Sequence, residues 1–60
     1  MDWQVHYQSG GREFRAAAAD KQTAICVACI LLRDGHDVMK VESQTGEMIE
    51  PAEIKRLCGR

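Results

Sequence analysis

What this sequence lacks narrows its reading first. Neither sign of charge is in excess: eight Lys and Arg stand against nine Asp and Glu, a net of −1. That excludes the basic field that drives non-specific nucleic-acid binding, and it excludes an acidic tail as well. No apolar run suits a bilayer, since Ala24–Leu32 falls far short of the ~20 residues a spanning helix needs. Met1-Asp2-Trp3-Gln4 carries no basic segment followed by an apolar one, so no signal peptide is expected. There is no repeat, and the tetra-alanine Ala16–Ala19 is only a local bias. The aromatics are Trp3, Tyr7 and Phe14 alone. Three rings serve a small core and leave no volume for a cofactor pocket, so no cofactor is expected. The cysteines are three, Cys26, Cys29 and Cys58, two of them inside the apolar run. A secreted disulfide scaffold carries more, at loop positions, which points instead to a reducing, cytoplasmic setting.

What is there amounts to one small domain, residues 1–60. A chain this short buries only about 60% of the surface its unfolded form exposes, so its stability is marginal. Small scaffolds make up the difference with disulfides, a metal or a partner chain.

Trp3-Gln4-Val5-His6-Tyr7-Gln8 alternates apolar and polar, the period of a strand with one buried face. Gly10-Gly11 suits the positive φ angles of a two-residue hairpin. That turn sets a register in which Ser9 faces Arg12, Gln8 faces Glu13, Tyr7 faces Phe14 and Val5 faces Ala16. Trp3, Val5, Tyr7, Phe14 and Ala16 then share the inner side of the sheet. Gln4, His6, Gln8, Glu13 and Arg15 share the outer side. Alanine is also the best helix former, so residues 12–19 have a helical alternative.

Asp20 is a suitable N-cap for a helix over 21–34, with Gly35 just beyond its end. On that helix Ala24, Ile25, Ala28, Leu31 and Leu32 form one face, with Cys29 at its edge. Cys26, Val27 and Ile30 point the other way, where a surface helix normally shows charge. His36–Glu42 reads as a third strand, with Met39 and Val41 on one face and Val38 and Lys40 opposite. Gln44–Glu47 is a turn, and Met48-Ile49 is a short fourth strand. Pro51 opens a C-terminal helix with Ile54, Leu57 and Cys58 on one stripe. The expected fold is α+β, in the order β-β-α-β-β-α. A right-handed crossover places the third strand beside the first and gives sheet order 2-1-3-4, with the long helix across one face.

Trp3-x-Val5-x-Tyr7, the Gly10-Gly11 hairpin, the Ala-rich helix ending at Gly35, an aliphatic strand and Thr45-Gly46-Glu47-x-Ile49 together resemble several families of small uncharacterised bacterial proteins with a β-β-α-β-β layout. The resemblance covers most of the chain. It implies the same fold and no particular activity.

Cys26-Val27-Ala28-Cys29 has the form of a redox Cys-x-x-Cys. Such a site places its first cysteine at a helix N-terminus, whereas Cys26 lies inside the helix with no Lys, Arg or His adjacent. Structural cysteines are the simpler expectation. A zinc site needs four ligands, and Cys26, Cys29, Cys58 with His6 or His36 would supply them. The usual second ligand pair is missing, so no metal is expected. Neither histidine has a Ser, Cys or carboxylate partner evident in sequence, so no catalytic residue and no enzyme activity is expected. Gly10-Gly11 lacks the Lys-Ser or Lys-Thr of a phosphate loop. Arg12, Arg15 and Lys21, with His6, offer a modest basic spot beside the hairpin for nucleic acid. The outer side of the helix offers more: Cys26, Val27 and Ile30 suit a protein partner, most simply a second copy in a homodimer.

Overall fold

A computed structural model describes residues 2–59. The elements follow the expected order: β1 (Trp3–Ser9), β2 (Arg12–Ala18), α1 (Lys21–Arg33), β3 (Asp37–Ser43), β4 (Met48–Ile49) and α2 (Pro51–Cys58). The four strands form one sheet in the order β2-β1-β3-β4, with every neighbouring pair antiparallel. This is the α+β arrangement with the crossover through α1. Among the described residues no helix is long and apolar enough to cross a membrane.

Both turn glycines take left-handed backbone, Gly10 at φ 60° and Gly11 at φ 80°. Two successive positive φ angles match the right-handed twist of the strands they join. The hairpin register follows: Ser9 pairs with Arg12, Tyr7 with Phe14, Val5 with Ala16, and Trp3 with Ala18 at its far end. Residues 12–18 are therefore strand, and the helical alternative fails. Helix propensity at Ala16–Ala18 is worth a few tenths of a kcal/mol per residue. It loses to seven paired positions and to burial of Ala18 in the core.

Helix α1 begins and ends on local chemistry. The Thr23 N–H donates to Asp20 Oδ1 at 2.7 Å, capping a first-turn donor. That bond holds the Asp20 carboxyl below its ordinary pKa. At the other end the Gly35 N–H donates to the Leu32 carbonyl at 3.1 Å and the His36 N–H to Leu31 at 3.0 Å. These paired bonds are the Schellman closure, made possible by Gly35 at φ 91°.

The core lies between α1 and the inner face of the sheet, closed at one end by α2. Its buried residues are Trp3, Val5, Ala18, Ala24, Ala28, Val38, Val41, Ile49 and Ile54. Two expectations about facing are corrected here. Val38, not Met39, joins Val41 in the core, and Met39 is exposed. The cause is an irregularity in the β1–β3 ladder: His6 pairs with Lys40 but Tyr7 pairs with Val38, which leaves Met39 as an extra residue. A bulge of this kind breaks the two-residue period and turns both valines inward. Phe14, expected inside, is 41% exposed. It stacks on Tyr7 with ring centroids 5.6 Å apart, at the rim of the helix-covered face.

Ser43 is the buried polar residue, and it organises the β3–β4 turn. Its Oγ accepts from the Thr45 N–H at 3.2 Å and the Glu47 N–H at 3.0 Å, and lies 2.9 Å from Thr45 Oγ1. Its own backbone N–H donates to Glu47 at 2.8 Å.

Candidate interaction surface

The sequence leaves α1 with more apolar surface than a four-stranded sheet needs. Ala24 and Ala28 are fully buried and set the point of closest approach. With about 100° between successive residues, Val27 and Ile25 lie about 80° to either side of that point. Both are half-buried against the core. Val27 is thus drawn inward, contrary to the expected grouping, because two small alanines let the helix settle deep enough for its flanks to touch the sheet. Ile30, about 140° from the contact line, and Cys26, about 180° from it, stay outside. Ile30 is 49% exposed and Cys26 is exposed.

Around these two residues the surface forms a shallow, largely apolar groove of about 630 Å³. Ile25, Cys26, Cys29, Ile30 and Leu57 line it, with Lys21 and Gln22 also bordering it. Leu57, assigned by sequence to the inward stripe of α2, is 40% exposed and extends the groove onto the second helix. The one signal for it in the sequence was its stripe with Ile54. That stripe is wider than the contact α2 makes, and Ile54 alone is fully buried.

The cysteines divide unequally. Cys29 and Cys58 are joined as a disulfide with Cα atoms 5.5 Å apart, which ties α1 to α2. Cys26 is free. The expectation of structural cysteines at Cys26 and Cys29 includes no bond from either to Cys58. Their pairing depends on how α2 folds back, which no spacing in the chain reveals. Among the described residues no group of three or more metal-binding side chains comes together.

Of the basic residues singled out for nucleic acid, His6 and Arg15 are cross-strand partners, and Arg12 and Lys21 do not join them. Arg12 and Arg15 are three apart on β2 and therefore project to opposite sides of the sheet. Ala18, at the far end of that strand, is about 20 Å from Arg12, and Lys21 begins the helix after the following turn. The sheet face away from α1 mixes signs instead. Glu42 Oε1 lies 3.0 Å from Lys40 Nζ and 3.0 Å from His6 Nε2. Strand pairing creates this contact, so His6 does have a carboxylate neighbour that sequence spacing did not show. The imidazole Nε2 and the carboxylate oxygen stand within contact distance on the solvent side of the sheet. The Lys40 ammonium, with a smaller pull from His6, holds the Glu42 carboxyl below its ordinary pKa. His36 sits elsewhere, 5.8 Å from Tyr7 between ring centroids.

No protein family, no curated protein and no solved structure matches this chain.

Proposed function

We propose that this protein is an interaction module, not an enzyme, which self-associates through the helical layer, with the outer side of α1 at the centre of the contact. The observation that supports this is the unpartnered apolar groove formed by Cys26 and Ile30 of α1 and Leu57 of α2. Two copies related by a two-fold axis would cover each other's groove, which is the commonest symmetry of soluble oligomers. A net charge of −1 offers little repulsion between copies. A stable interface takes about 800 Å² from each partner, roughly a fifth of this chain's 4277 Å² surface. One face of α1, about 20 Å long, is too small for that, so the contact extends across α2. Association also adds stability that a core of this size lacks.

The proposed setting is cytoplasmic, on the cysteine usage. In a reducing compartment the Cys29–Cys58 bond is a transient state and not a permanent staple.

Light scattering on eluting protein tests the self-association. Wild type should run as a dimer at concentrations of about 100 µM, and Ile30→Lys as a monomer with an unchanged circular dichroism spectrum. The exposure of Ile30 makes the substitution compatible with the fold. A wild type that is monomeric throughout that range would sink the proposal.

A further inference from the structure

We propose that Cys26, Cys29 and Cys58 form a three-sulfur exchange unit, in which Cys29 passes its disulfide from Cys58 to Cys26 and so releases α2 from α1. The inference does not rest on self-association. Three observations carry it. Cys26 is free and exposed, and it lies three residues before Cys29 on the same helix. Helical geometry sets their Cα atoms about 5 Å apart, inside the Cα range of a disulfide, while their Cβ atoms, about 5–6 Å apart on a regular helix, must close by about 1 Å as the bond forms, which loosens that turn of α1. For comparison, the existing partner Cys58 stands at 5.5 Å between Cα atoms. Cys26 and Cys29 also border one groove, so the attacking and attacked residues open to the same solvent. On its other side the disulfide borders a depression of about 550 Å³ shared with Arg33 and Lys55. A cation beside a departing sulfur helps it leave as a thiolate, and both sulfurs of the bond border these two side chains.

The step balances without an oxidant or reductant. Cys26 loses its proton to solvent, and its thiolate attacks Cys29 Sγ. The Cys26–Cys29 bond forms as the Cys29–Cys58 bond breaks. The electron pair of the broken bond stays on Cys58 Sγ, which takes up a proton. The number of disulfides is unchanged. The mechanical result is not. Before the step a covalent tie clamps α2 to α1. Afterwards an eight-residue helix is held only by its packing, with Ile54 its one fully buried residue, and helices that short are marginal without tertiary support. The location of one bond then sets how firmly α2 is held beside α1 along the groove.

Cleavage after Lys21, Arg33 and Arg56 separates the two states, because peptide 22–33 holds Cys26 and Cys29 while peptide 57–60 holds Cys58. Oxidised protein is incubated at about pH 8.5, near the ordinary thiol pKa, or at about pH 5. Free thiols are then blocked with N-ethylmaleimide, and the digest is read by mass spectrometry without reduction. The expected result is growth of peptide 22–33 carrying an internal disulfide, together with blocked 57–60. At equal times it should be at least about tenfold more abundant at the higher pH, following the thiolate fraction. Cys26→Ser should lose this species entirely and keep the 22–33 to 57–60 link. Ile30→Lys, run in parallel, should show the same exchange whether or not wild type dimerises. Linked peptides alone after a day at the higher pH, with the block only on Cys26, would overturn the proposal. So would a Cys26–Cys58 link, or starting protein that never forms the bond to Cys58.

Discussion

Ser43 shows how much one buried side chain can govern. Its hydroxyl serves two backbone donors of the β3–β4 turn, and no apolar residue of its size can replace it. Ser43→Ala should leave the Thr45 and Glu47 N–H groups short of an acceptor, at a cost of about 1–3 kcal/mol. Ser43→Thr should retain most of the stability, since the acceptor persists. Urea unfolding of both variants checks this, and equal midpoints for Ala and Thr would show that the hydroxyl carries nothing. Asp20 acts in the same way at the start of α1. Both residues hold the chain's direction at a junction, where the flanking apolar pattern says only that a junction exists.

Among the elements, α1 is decided by its smallest residues. Ala24 and Ala28 are fully buried, one turn apart, and let the helix lie close over the sheet. That closeness brings Val27 and Ile25 into partial contact with the core and leaves Ile30 and Cys26 outside. Ala28→Leu should overpack the contact and cost about 1–3 kcal/mol. In a domain this small each kcal/mol lowers the melting temperature by about 4–8 °C. Thermal melts read the change directly, and an unaltered melt would mean that the helix rests higher than described. The bulge at Met39 does comparable service in β3. Without it, Val38 would face outward and the core would lose a residue that it has no means of replacing.

For the molecule as a whole, the disulfide sets how firmly the second helix belongs to the fold. It closes a loop with a sequence separation of 29. A loop of that length restricts the unfolded chain by about 2–4 kcal/mol on the chain-entropy account. Cys58→Ala should therefore be less stable than oxidised wild type by that amount and equal to wild type in excess reductant. Matching urea midpoints for oxidised and reduced wild type would contradict this. In a chain with so small a core, such a difference decides whether α2 stays docked and whether Leu57 remains beside Ile25 and Ile30. The helical surface proposed for self-association is thus assembled from two elements, one of them held conditionally.

Local chemistry alone determined the element order, the hairpin register and both ends of α1. Each follows from neighbours within a few residues: Gly10-Gly11, Asp20 before Thr23, Gly35 after Leu32. Strand order 2-1-3-4 followed as well, because the handedness of a crossover is a property of any L-chain. Outward apolar residues on α1 were likewise legible from helical periodicity, and Cys26 and Ile30 are where it put them. Only the folded molecule decided the rest. Val27 turned inward because helix depth depends on what lies beneath the helix. Val38 replaced Met39 because a bulge belongs to a pair of strands and not to one. Leu57 joined the groove, Cys29 found Cys58, and His6 met Glu42 through contacts between segments far apart in the chain. Arg12 and Arg15 parted for the opposite reason, since strand alternation separates residues three apart. Distances between remote segments come from packing, and packing is a property of the whole chain at once.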